Sequence, residues 1–166
     1  MNQTVKLSEE EIWDKLKEVH DPEVPVLTVV DLGVIRDVSW IEDKLQITIT
    51  PTYSGCPAMK VIEDDIRTCM DSYGIHDILV KTILKPAWTT DWITLDGRNA
   101  LLDYGIAPPK YSTTDKNSIM GISKEIACPQ CSSTNTRLLS QFGSTACKAL
   151  HKCDDCLEPF DYFKCI

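Results

Sequence analysis

An α+β body followed by a small metal-held ribbon is the fold class this chain predicts, and three stretches predict it. Leu45, Ile47 and Ile49 alternate with Gln46, Thr48 and Thr50, the period of a half-buried strand. They lead through residues 51–57 into Met59, Ile62, Ile66 and Met70, which are spaced along one face of a helix. Ser8 stands three residues before Glu11, ahead of the apolar Ile12 and Leu16, as a capping box requires. Cys128-Pro129-Gln130-Cys131 and Cys153-Asp154-Asp155-Cys156 form two C-x2-C pairs with 21 residues between them, the spacing of a tetrahedral four-cysteine site closed across a hairpin.

Taken in order, the first helix has Ile12, Leu16 and Val19 as its buried stripe and Trp13 on its flank. It should stop near His20, because Asp21-Pro22 turns the chain out of the α region. Pro22 and Pro25 forbid regular structure over residues 21–26, and the apolar Val24, Val26 and Leu27 predict an ordered loop there. Asp31-Leu32-Gly33 reads as a turn into a strand over 34–41. Glu42-Asp43 turns that strand into a second over 44–50. The helix after residue 57 runs to about Ser72, with Tyr73-Gly74 as its stop, and a third strand covers 77–85. Residues 8–85 thus make a helix–hairpin–helix–strand unit with a mostly antiparallel sheet. Trp88 and Trp92 follow, as a core plug or as an exposed interface anchor. A short helix from Leu95 to Tyr104 ends at Gly105, and Pro108-Pro109 breaks off the first domain. The predicted division is a domain over 1–109, a polar linker over 110–125, and a ribbon over 126–166 with strands at 136–142 and 147–152.

The chain has 166 residues, of which 43% are hydrophobic and 25% charged, a globular composition. No apolar run nears the ~20 residues needed to span a bilayer. The acidic N-terminus lacks the layout of a signal peptide, so a cytoplasmic protein is expected. Net charge is −8, all of it in residues 1–110, which carry 11 Lys+Arg against 19 Asp+Glu; the remainder is balanced at 6 and 6. Such a body repels phosphate backbones, which argues against nucleic-acid binding. Eight cysteines without an export signal point to metal or thiol chemistry rather than disulfides, and six of them follow residue 127.

Cys56 stands apart from that cluster. It lies where strand hands over to helix, and Pro57 suits a first helical position, which puts Cys56 at or near the N-cap. A thiolate there feels the positive end of the helix dipole and free backbone N–H groups, both of which lower a thiol pKa. Gly55 leaves room for a ligand to approach. The competing reading is a small buried cysteine that caps a helix. In the tail, four thiolates close the coordination shell, so the predicted zinc is structural, although iron fits the same four sulfurs. Cys147 and Cys165 are left over as idle or buried thiols, and His151 as a strand side chain.

Asp21-Pro22-Glu23, Asp31-Leu32-Gly33 and Thr52-x-x-Gly55-Cys56-Pro57 resemble the signature of the iron–sulfur cluster assembly (metal–sulfur cluster biosynthesis) domain family, over roughly residues 8–85. Residues 86–92 (PAWTTDW), 142–150 (FGSTACKAL) and 159–166 (PFDYFKCI), with the four cysteines, resemble the D-component family of bacterial phenylacetyl-CoA epoxidase (ring 1,2-epoxidase) systems along nearly the whole chain. That resemblance implies a role in aerobic phenylacetate degradation, as a helper that matures or loads a multicomponent oxygenase whose di-iron centre lies on another subunit. It also implies handling of iron or an iron–sulfur cluster.

The residues point to a helper independently. A di-iron carboxylate centre needs Glu-x-x-His pairs on bundled helices, and none of His20, His76 or His151 has Glu three residues before it. A Gly-rich dinucleotide loop and a ferredoxin-type cysteine run are also lacking. The first reading is therefore a maturation factor, not an enzyme by itself. In it Cys56 is a transient ligand for iron or a cluster, Asp21 is a second ligand or a base, and the di-iron oxygenase subunit is the partner. One cysteine supplies too few ligands to hold a cluster, so a labile site, bridged in a homodimer, is expected. The alternatives are a thiol enzyme with Cys56 as nucleophile and His20 as base, and a docking module in which the ribbon binds the oxygenase and Cys56 is structural.

Overall fold

The computed structural model describes residues 6–111 and 125–164, which fall into two compact units, Met1–Trp88 and Thr89–Ile166. In the first unit, α1 (Glu9–Leu16) begins at the capping box. Glu11 N donates to Ser8 Oγ, and Ser8 N donates to Glu11 Oε2 at 2.8 Å. The helix ends one turn before His20, and Glu18 and Val19 continue it only through tighter bonds to the carbonyls of Lys15 and Leu16. Ile12, Leu16 and Val19 are buried as the periodicity predicts.

β1 (Ile35–Ile41) and β2 (Lys44–Ile49) pair antiparallel, with Ile41 opposite Lys44 across the Glu42-Asp43 turn. α2 (Ala58–Ser72) buries Ala58, Ile62, Ile66 and Met70 on one face. It carries the chain back so that β3 (Ile78–Thr82) pairs with β2 in parallel, as a helical crossover dictates. The sheet order is β1-β2-β3, with one antiparallel and one parallel join.

The Asp31-Leu32-Gly33 turn has a definite task. Thr28 Oγ1 donates to Asp31 Oδ2 at 2.8 Å, and Gly33 turns at φ +76°. The buried Leu32 carbonyl oxygen then accepts from Trp88 Nε1 at 2.8 Å. Trp88 is 6% exposed and its one polar group is satisfied, so it is a core plug.

In the second unit Thr94 caps α3 (Leu95–Asp103), which is followed by β4 (Ile106–Ala107). The ribbon contributes β5 (Thr136–Ser140), β6 (Lys148–Cys153) and β7 (Pro159–Phe163), in the order β4-β7-β6-β5. Residues 89–109, grouped with the first domain by the sequence, lie in this unit, and β4 extends the ribbon sheet by pairing in parallel with β7. Most of the linker predicted over 110–125 falls outside the described residues, as does Cys165. No helix among the described residues is long and apolar enough to cross a membrane.

Candidate functional site

The candidate residues fall at two cysteine sites, one in each unit. The four ribbon cysteines come from two turns that repeat each other. Cys128 N donates to the Ser133 carbonyl at 2.8 Å and Cys153 N to the Glu158 carbonyl at 3.0 Å. Ser132 and Leu157, each the fourth residue after its turn's first cysteine, both take positive φ, +64° and +66°. Each C-x2-C is thus one copy of the same tight knuckle, and the second is entered directly from β6.

The knuckles face one another. Cys128 Sγ lies 3.7 Å from Cys156 Sγ, Cys131 Sγ lies 3.6 Å from Cys153 Sγ, and all four sulfurs lie within 4.8 Å of one another. A tetrahedral Zn–S4 centre with 2.3 Å bonds has S···S edges of about 3.8 Å. The donor set therefore fits zinc in number, chemistry and spacing. Backbone N–H groups also aim at the sulfurs, as in Cys156 N to Cys153 Sγ at 3.5 Å. Without metal the thiols perturb one another. N–H groups of Cys156 and Asp155 draw Cys153 down to about 7. At Cys156 the Glu158 N–H pulls the same way, but burial and the adjacent sulfurs of Cys131 and Cys153 push it up to about 12. Cys131 also stands above the ordinary thiol range: the Ser133 N–H lowers it, and the Cys153 sulfur and burial outweigh that. Asp155 braces the site from outside, accepting from Ser133 Oγ and from Asn135 Nδ2, and these bonds hold its carboxyl below the usual range.

In the first unit, Cys56 closes the loop after β2. Its N–H donates to the Tyr53 carbonyl, and its carbonyl accepts from Met59 N at 3.3 Å. Pro57 takes the N-cap place of α2, one residue later than the sequence suggested, so Cys56 precedes the cap. The helix start has no side-chain cap and no acidic residue in its first turn, which leaves the positive dipole end uncompensated. Gly55 turns at φ +77° with no atom near where a Cβ would stand. Cys56 is a buried residue, 9% exposed, between exposed Ser54, Gly55 and Pro57. Thr52 Oγ1 stands 3.9 Å from the sulfur. Sequence reasoning gives that hydroxyl no role, although it opens the Thr52-x-x-Gly55-Cys56-Pro57 motif. Thr50, also missed, is buried with no partner for Oγ1, and alternation along β2 offers no signal for it.

Asp21 is 6% exposed and organises its own loop. Its Oδ1 accepts from Glu23 N at 2.8 Å and Val24 N at 2.7 Å, and its N–H donates to the Leu27 carbonyl. Residues 21–26 are thus an ordered loop pinned by buried Val24 and Leu27. His20 is exposed, with Nδ1 2.8 Å from the Pro25 carbonyl oxygen. Among the described residues, Cys128, Cys131, Cys153 and Cys156 are the one group of three or more possible ligands able to close on a metal, and Cys56 and Asp21 belong to no such group. Cys147 is a buried thiol beside Thr145 Oγ1, at 3.1 Å, and His151 is a buried strand side chain packed on Phe160 and Tyr162.

An α+β domain with one cysteine at a strand-to-helix turn, followed by a four-cysteine ribbon, defines a class that joins an iron–sulfur cluster assembly module to a zinc ribbon. Residues 9–72 match the family described as Iron-sulfur cluster assembly protein, and residues 112–164 match the PaaD zinc beta ribbon domain. A domain of unknown function, DUF59, from Bacillus anthracis has the fold of the first module, with a TM-score of 0.52 and 28% identity over 56% of this chain and 90% of that one. A Porphyromonas gingivalis (strain ATCC BAA-308 / W83) protein named Fe-S protein maturation auxiliary factor is 34% identical over 63% of this chain and 98% of its own. The chain is 49% identical, over 94% of its length and 92% of the relative's, to an Escherichia coli (strain K12) protein provisionally named as the D component of 1,2-phenylacetyl-CoA epoxidase. It belongs to the family of that component.

Proposed function

We propose that this protein is an accessory component of a multicomponent di-iron monooxygenase that epoxidises phenylacetyl-CoA, and that it helps load iron or an iron–sulfur species into that system rather than catalysing the epoxidation. The observation that carries the reading is the Cys56 turn. A thiol stands before an uncompensated helix N-terminus, beside a threonine hydroxyl and an open glycine, and, among the described residues, outside any group that could close around a metal. Such a thiol can take a cargo and cannot retain it alone. Cys56 Sγ is the entering ligand, and Asp21 is the second donor. The remaining ligands come from the receiving oxygenase or from a second copy of this chain, so release is built into the shortage.

The ribbon has the opposite role. Zinc held by Cys128, Cys131, Cys153 and Cys156 supplies cross-linking of the two knuckles and no open coordination position, so it folds the tail and leaves no place for catalysis. The folded ribbon then serves as the docking element for the oxygenase.

Co-expression with the oxygenase tests this. Cys56→Ser should abolish epoxidation while the variant stays folded with its zinc. Asp21→Asn keeps an oxygen to accept from Glu23 and Val24 N–H and removes only the charge, so it should fold normally and load the oxygenase poorly. Full activity with Cys56→Ser contradicts the proposal.

A further inference from the structure

The two knuckles are copies in backbone and unequal in exposure, and that inequality has a chemical consequence. In each, the first cysteine is sealed, Cys128 at 1% and Cys153 at 0% exposed. The second cysteines differ. Cys156 is half-buried against a cluster of Ala107, Ile126, Cys128, Cys153 and Phe160, whereas its counterpart Cys131 is exposed. When metal is bound all four are thiolates, so thiolate character no longer separates them and access does. The geometry also fixes a partner. The sulfur 3.6 Å from Cys131 belongs to Cys153, on the opposite knuckle, and Cys128 is likewise set against Cys156 at 3.7 Å.

We infer that Cys131 is a modification site for hydroperoxides: it is the point at which oxidant enters the metal-loaded ribbon, and its oxidation opens the ribbon through a Cys131–Cys153 disulfide. Cys131 Sγ attacks one oxygen of hydrogen peroxide. The S–O bond forms as the O–O bond breaks, and the departing hydroxide takes a proton from solvent. Cys153 Sγ then attacks Cys131 Sγ, the S–S bond forms, the S–O bond breaks, and a second hydroxide leaves and is protonated. Two thiolates, one peroxide and two protons become one disulfide and two waters; the sulfurs lose two electrons and the peroxide gains them. Two of the four donors are then consumed, and the fold that depended on four loses its cross-link. A tail folded by zinc thereby becomes a tail that peroxide unfolds and a thiol reductant with zinc refolds.

The inference rests on the zinc reading of the four cysteines and not on what Cys56 carries. The experiment uses the full zinc-loaded chain. Metal per chain is measured first, hydrogen peroxide is added with dimedone present in one set of samples, and released zinc and modified cysteines are followed together by a chromophoric chelator and peptide mapping. Cys69→Ser and Cys147→Ser, which leave all four ligands in place, serve as companions. The expected result is a first dimedone adduct on Cys131, a Cys131–Cys153 disulfide when dimedone is absent, one zinc lost per disulfide, and the same release rate in both companions. A first adduct on Cys128, Cys153 or Cys156, a disulfide within one knuckle, or slower release in either companion overturns it. A chain without zinc before peroxide is added contradicts the zinc reading instead.

Discussion

In the ribbon four sulfurs lie within 4.8 Å of one another, whereas Cys56 stands at the end of the loop that leads into α2, with Thr52 Oγ1 beside its sulfur. The difference follows from how each unit stays folded. The first unit buries Leu45, Ile47, Ile49, Ile62, Ile66 and Met70 almost completely. The ribbon exposes much of β5, including Leu138 and Leu139, and its buried cluster includes two of its own cysteines. The first unit rests on a large aliphatic core, whereas the second has a smaller one into which its own cysteines are built.

Metal removal should break the comparison most sharply. Structural zinc contributes on the order of 10 kcal/mol to folding such a site. A strong chelator should therefore abolish hydrogen-exchange protection across β5–β7 and leave β2 and α2 protected. Equal loss in both units would show the first to be metal-dependent too. Acid should act in the same direction. Cys131 and Cys156 stand above the ordinary thiol range, so protons compete for them already at neutral pH, and as pH falls through about 7 Cys153 becomes protonated as well. Zinc affinity should thus fall steadily from pH 8 to pH 5, read by competition with a chromophoric chelator, and a flat profile would contradict the assignment of four thiolates.

The converse change is smaller. Ile66→Ala deletes a side chain with 0% exposure and should destabilise the first unit by about 2–5 kcal/mol in denaturant titration, with zinc per chain unchanged. Ser8→Ala removes one half of the capping box and should cost about 1 kcal/mol at α1, again without touching the metal. A drop in zinc with either variant would mean that the two sites are not independent.

What the chain discloses about itself divides along the same line between local and distant causes. The capping box, the Glu42-Asp43 hairpin, the α2 stripe and the two knuckles were legible because each depends on residues within a few positions of one another. The parallel β2–β3 join was not, since alternation along residues 78–82 gives a strand without giving its direction. β7 and the two-residue β4 escaped for a related reason. Their pairing spans more than fifty residues of sequence (Ile106 with Asp161), and two residues carry no period. At the candidate site, the motif located Cys56 and left Thr50 and the loop-building bonds of Asp21 unseen, because burial and hydrogen bonding of those side chains arise only once the loop has folded.

Cys56 is proposed to move a cargo that this chain does not keep. Iron and sulfide should be measured in the wild-type protein and in Cys56→Ser, each purified anaerobically together with the oxygenase. An iron-loaded oxygenase is expected with wild type, an iron-poor one with Cys56→Ser, and the same zinc in the ribbon of both. Equal iron in the two oxygenase preparations would contradict it.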